Sequence, residues 1–170
     1  EERVLRMLDG TARDPQEVIG LVPPALNAAT VEKIAVNAVM AGCKPEYLPV
    51  VLAAIEAVLD ESFAMHGVLA TTMFVGPVVV VNGPIRRRIG MNAKGNALGQ
   101  GNRANLAIGR ALQLVIRNIG EGRPQEVDRA TLGNPGKLSY CFAEDEEGSC
   151  WEPLSVERGL KPGASAVTVF

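Results

Sequence analysis

Two apolar segments joined by a three-residue turn constrain this chain more than any other feature. In Val31–Ala41, Ile34, Ala38 and Ala41 share one helical face, with Ala35, Val39 and Met40 beside it; Thr30 stands as N-cap and Gly42 as stop. Pro45 opens the second segment, which runs to Leu59 and is apolar on nearly every side apart from Glu46 and Glu56. Such a pair predicts a helical hairpin central to the core. Its packing must be aliphatic, because 47% of the residues are apolar and only 4% aromatic. At 170 residues the chain suits a single domain spanning 1–170. A mean hydropathy of +0.13 predicts that further surface is covered in a homo- or hetero-oligomer.

Around the hairpin the pattern is mixed. Glu1–Leu8 reads as a short amphipathic helix ended by Asp9-Gly10, and Asp14-Pro15 as the start of another, stopped at Val22-Pro23-Pro24. Beyond His66 the signal turns to strand, in Val68–Thr72 and Val78–Val81, the four valines suggesting burial on both faces. A Gly/Asn-rich stretch, Ile89–Asn102, then leads into a helix from Arg103 to about Ile119. Leu138–Phe142 and Ala166–Phe170 read as later strands, Gly133–Lys137 as a turn and Trp151–Val156 as irregular. Helices and strands do not alternate regularly. That predicts an α+β fold, with the hairpin packed on a small mixed sheet.

The charge map points to function. Between Glu61 and Glu121 there is no Asp or Glu, while Arg86, Arg87, Arg88, Lys94, Arg103, Arg110 and Arg117 all fall there. Such a block suits a site for a small anion. It equally suits pairing with Glu144-Asp145-Glu146-Glu147 or with a neighbouring subunit. A pI of about 5.5, with Phe63 and Phe74 the only aromatics in the acid-free interval, argues against a nucleic-acid partner. No apolar run is long enough to span a membrane, and Glu1-Glu2-Arg3 shows no secretion signal. Three widely spaced cysteines, Cys43, Cys141 and Cys150, fit reduced thiols in a cytoplasmic protein.

Glycines let backbone amides approach a ligand, and a helix N-terminus adds partial positive charge. Asn82, Arg86, Asn92, Asn96, Asn102 and Arg103 are therefore the candidate substrate-binding residues, with Arg103 foremost because it opens its helix. Arg110 and Arg117 follow at seven-residue intervals, a spacing more typical of a solvated face or a subunit contact. The glycine spacing matches neither the dinucleotide fingerprint nor the phosphate-binding P-loop, so no cofactor is named. Cys43 and His66 are the candidate catalytic residues. Cys43, beside Lys44 and a helix start, is either an activated thiol or a small buried filler. His66, the one histidine, is either a proton donor or acceptor or a structural hydrogen-bonder. With a single histidine and no CxxC pair, a zinc site from this chain alone is not expected.

Three stretches carry a resemblance: Cys43-Lys44-Pro45-Glu46-Tyr47-Leu48-Pro49-Val50-Val51, Asn82-Gly83-Pro84-Ile85, and Gly133-Asn134-Pro135-Gly136-Lys137 through Trp151-Glu152-Pro153-Leu154. Together they resemble a poorly characterised bacterial family encoded beside, or fused to, proteins with a UGSC or CGSC selenocysteine/cysteine motif. The tetrapeptide itself is absent; Gly148-Ser149-Cys150 lacks its first chalcogen residue. The resemblance implies a partner that supplies the reactive thiol or selenol, and it gives no substrate. Two function classes stay open. One is an enzyme or enzyme subunit acting on a small organic anion by thiol-dependent redox or lyase chemistry. The other is a non-catalytic module whose basic stretch docks an acidic partner.

Overall fold

The computed structural model describes residues 1–170. Helix α1 (Glu2–Leu8) is followed by an antiparallel hairpin, β1 (Val18–Val22) and β2 (Asn27–Thr30). Then come α2 (Val31–Ala41), α3 (Leu48–Leu59), α4 (Met65–Leu69), β3 (Val79–Asn82) and α5 (Pro84–Arg88). The long helix α6 (Arg103–Asn118) precedes β4 (Cys141–Ala143), α7 (Leu154–Glu157) and β5 (Ala166–Val169). β3 is the middle strand of a three-stranded mixed sheet, parallel to β4 and antiparallel to β5. The fold is α+β, as the sequence pattern predicts.

The hairpin forms as expected. Thr30 Oγ1 accepts a hydrogen bond from the Lys33 N–H at 3.2 Å, satisfying one of the orphan donors at the start of α2. At the other end Gly42 takes a left-handed conformation, φ 87°, which a side chain would disfavour. The Cys43 N–H then donates back to the Ala38 carbonyl at 2.9 Å, closing a Schellman turn. A Schellman turn commonly carries an apolar contact at the residue after the left-handed position. Cys43 fills that role and is buried. Pro45–Tyr47 makes one 3-10 turn before α3 begins.

The core is aliphatic throughout. Ile34, Leu48, Ile55, Ile108, Leu112 and the valines of β3 are all but inaccessible to solvent. Helix α2 packs chiefly on α6 rather than on α3, and α3 lies against β5 and β1. So α6 is the hub, with α2 on one side and β4 on another. The contact with β4 depends on Gly109. A Cβ there would lie 2.5 Å from Ser139 Oγ and 2.8 Å from the Tyr140 nitrogen, so only glycine lets the two backbones approach this closely.

Three expectations need correction. Asp14–Val22 is not helical: Asp14 Oδ1 accepts from the Gln16 N–H in a turn, and the β-branched Val18 and Ile19 enter β1. Val68–Thr72 is no strand; Met65 and Leu69, four residues apart, bury one face of α4 instead. Arg86–Arg88, given no element from the sequence, form the end of α5, begun by Pro84 at its first position. Leu154–Glu157, expected to be irregular, forms α7 after Pro153. No helix is long and apolar enough to cross a membrane.

Substituting Gly109→Ala should test the hub. Alanine is favoured over glycine in a helix by about 1 kcal/mol. The overlap with Ser139 and Tyr140 should reverse that sign and destabilise the protein by about 1–3 kcal/mol in urea denaturation. A stabilised variant would contradict the close approach of α6 and β4.

Candidate functional site

The basic stretch divides in two. Arg86, Arg87 and Lys94 pair with the acidic run after β4, while Arg88, Arg103, Arg110 and Arg117 have no carboxylate partner. The pairing with the acidic run is thus present for three of the seven basic residues and absent for the other four.

The paired half is an internal network. Asn82, at the end of β3, is fully buried. Its Nδ2 donates to Glu144 Oε2 at 2.6 Å and to Glu146 Oε1 at 2.9 Å. Arg86, one turn into α5 and also buried, donates to Glu146 Oε2 at 2.7 Å and to both oxygens of Glu147, with Nη1 to Oε2 at 2.9 Å. The Gly83 N–H donates to Glu146 as well, at 2.7 Å. Burial works against ionisation of Glu146, but the hydrogen bonds from Arg86, Gly83 and Asn82 outweigh it and hold the group low. Hydrogen bonds from Arg86 and Arg87 bring Glu147 down to about 2. Asn82 and Arg86, both expected to meet substrate, are therefore occupied by the chain's own carboxylates. Asn82 Oδ1 and Arg86 Nε are the two buried side-chain atoms left without a partner.

The Gly/Asn-rich loop is also largely self-satisfied. Asn92 Oδ1 accepts from the Lys94 N–H and its Nδ2 donates to the Gly95 carbonyl. Asn96 Nδ2 donates to the Gln100 carbonyl. Asn102 caps α6, its Oδ1 accepting from the Asn105 N–H at 3.0 Å while its Nδ2 donates to the Gly90 carbonyl. The residue that organises the loop is one that sequence reasoning missed. Asn105 is buried in the first turn of α6, accepts from the Asn92 N–H, and donates to the Asn92 and Ala97 carbonyls. Its signal was available: an asparagine three residues after a capping asparagine, on the inward face of a helix.

Arg103 and Cys43 do come together. Arg103 Nε donates to the Gly42 carbonyl at 2.9 Å, which ties the start of α6 to the α2–α3 turn. A cavity of about 390 Å³ opens at this junction. Arg3 and Arg6 from α1, Lys44 from the turn and Arg103 from α6 line it, with Cys43 and Gly42 in its wall and no carboxylate among the lining groups. Arg6 and Lys44 have partners outside it, Glu2 at 3.1 Å and Glu46 at 3.9 Å. Arg3 and Arg103 have none. Sequence reasoning missed Arg3 and Arg6, which recur three residues apart on one side of α1.

Cys43 is not an activated thiol. Burial pushes its pKa up to about 12, and the Arg103 charge only partly opposes this. Its Sγ donates to the Ala107 carbonyl at 3.4 Å. Cys141, buried in β4, is pushed further up, again by burial. Tyr47, beside the same Arg103, is also raised by burial. His66 lies elsewhere. It is exposed on α4, whose Leu69 meets Gly122 beyond the far end of α6. The sixteen residues of α6 span about 24 Å, so His66 does not share the cavity of Cys43 and Arg103. No group of three His, Cys, Asp or Glu side chains is placed to hold a metal ion.

Comparison with protein-family models, curated proteins and solved structures finds no match to this chain. The cavity's geometry is what bears on its function.

Two outcomes follow from these environments. At pH 8 a disulfide exchange reagent should titrate one thiol of the native protein, Cys150, which is exposed, and all three after denaturation. Rapid modification of Cys43 in the native state would contradict its burial. The carboxylates held low by Arg86 give stability that is complete above the ordinary glutamate value of 4.5 and is lost as pH falls towards about 2. Thermal melting between pH 7 and 2.5 should show that loss, with a shallower slope in Arg86→Met; equal slopes would sink the assignment.

Proposed function

We propose that this protein binds a small organic anion in the cavity between α1, the α2–α3 turn and the start of α6. The observation that carries this reading is the convergence of Arg3, Arg6, Lys44 and Arg103 on one concavity with no lining carboxylate. Like charges gathered on one concave surface repel one another, and an anion relieves that repulsion. Arg103 supports the reading in a second way. Its Nε is committed to Gly42, so the guanidinium plane is held while both Nη groups stay free of protein partners. A preset fork of this kind suits an anion that offers two oxygens side by side.

The location differs from the loop-amide site suggested by the Gly/Asn pattern, and the neutral Cys43 thiol does not support thiolate chemistry by this chain alone. The reading is therefore of a binding protein or binding subunit. Any redox or lyase step would need a reactive group from a partner chain, as the resemblance to the UGSC/CGSC-associated family implies. A docking role keeps one supporting observation: Arg110 and Arg117, on the same helix as the exposed Leu106, have no carboxylate partner. A size measurement in low and high salt would show salt-sensitive association if that surface docks an acidic partner.

Titration with inorganic phosphate, acetate and pyrophosphate at low ionic strength, read by calorimetry and amide chemical shifts, tests the cavity. Arg103→Ala should weaken binding about tenfold or more, in line with a lost charge-assisted pair. Arg103→Lys, which keeps the charge but loses the fork, should fall between. Arg117→Ala and His66→Ala should leave affinity unchanged. Equal binding by wild type and Arg103→Ala would refute the site.

A further inference from the structure

Resting on that reading, we infer that the ligand is a phosphomonoester with an apolar body, its phosphate in the cationic cavity and its body in the groove alongside. The charge balance of the cavity comes first. Arg6 and Lys44 each have a glutamate partner outside the cavity, whereas Arg3 and Arg103 have none. The uncompensated charge is therefore two, which a dianion matches and a monocarboxylate does not.

The directions of approach come second. The donors arrive from three separate elements: α1, the α2–α3 turn and the first residue of α6. A carboxylate presents two oxygens in one plane. A phosphomonoester presents three terminal oxygens around a tetrahedral centre, which donors on three sides can engage together. Its second ionisation lies near pH 6, so it is a dianion at neutral pH.

The groove alongside comes third. Gly42 and Arg103 line the cationic cavity and also a larger, more open groove of about 610 Å³. Ala41, Leu106, Ala107 and Leu138 give that groove an apolar wall, and Arg110 and Ser139 stand among them. Leu106 and Leu138 are 42% and 63% exposed, so apolar area remains there to be covered. Arg103 stands on the boundary, placed to meet the phosphate while the body leaves along α6. Cys43 stays a neutral thiol hydrogen-bonded to Ala107, so the site as built binds the ester without forming a bond to it.

The test is a ladder of probes: inorganic phosphate, methyl phosphate, hexyl phosphate and hexanoate, each titrated at pH 8 into wild type and into Leu106→Ser/Leu138→Ser. Both leucines are exposed, so the double variant leaves the core intact. Hexyl phosphate should bind wild type at least about tenfold tighter than methyl phosphate, since covering two methylenes suffices for that gain. The advantage should vanish in the double variant, whose affinity for inorganic phosphate should not change. Hexanoate should bind at least about tenfold more weakly than hexyl phosphate. If phosphate and hexanoate both fail to bind wild type, the anion cavity itself is refuted. If phosphate binds but the hexyl chain adds nothing, or adds as much in the double variant, the cavity stands and the apolar subsite falls. If hexanoate matches hexyl phosphate, the preference for a phosphate dianion falls.

Discussion

The packing of α6 against α2 determines where everything else at the cleft can be. Once α6 is buried along Ala104, Ile108, Ala111, Leu112 and Val115, its first residue must emerge next to the C-terminal turn of α2. Arg103 then reaches the Gly42 carbonyl, an acceptor left over where α2 ends. The hydrogen bond is local, but its existence depends on two helices buried in register. Small residues make that register possible: Ala104, Ala107 and Ala111 allow close approach, and Gly109 admits the chain entering β4. The Asn37–Asn118 side-chain bond, 2.7 Å, ties the other end of the same helix pair.

Around this frame the charges separate by depth. Arg86 is buried with its carboxylates and behaves as part of the fold, an electrostatic clamp between α5 and the segment after β4. Arg103 keeps its charge at the surface, with its Nε used and its Nη atoms free. The two arginines are equivalent in composition and differ only in what the topology places beside them. The β3–β4 parallel pairing is the cause, because it carries Glu144–Glu147 past the end of β3, where Asn82 and Arg86 wait. A long crossover between parallel strands, in which α6 is the longest element here, is what parallel pairing demands.

That distinction explains what was legible in the sequence. Helix α2 could be bounded to the residue, since its cap, its apolar face and its glycine stop are all local signals. The start of α6 at Arg103 was legible too, although Asn102, its cap, was read as a ligand contact. The β1–β2 hairpin was not, because Asp14-Pro15 is shared by helix starts and turns, and only pairing with Asn27–Thr30 decides between them. At the site, the acid-free interval drew attention to Arg103, which lines the cavity beside Cys43. It left open whether Arg86 would pair with the acidic run 60 residues further along, and could not reveal that α1 would bring Arg3 and Arg6. Both are tertiary facts. The asparagines misled for a physical reason: a side chain that can greet a ligand can equally close its own loop, and Asn92, Asn96 and Asn102 do the latter.

The thiol makes the same point about function. A cysteine beside a lysine and a proline-started turn looks electropositive in sequence, and Arg103 does place a cation nearby. Yet the Schellman turn places Cys43 at a position that favours apolar contact, and desolvation there exceeds the help that one surface arginine gives. An anion bound there, as proposed, would cancel part of that help. Burial, and not the cations that line the cavity, is what keeps Cys43 protonated, so the same junction that gathers positive charge withholds the thiolate that this charge would otherwise favour.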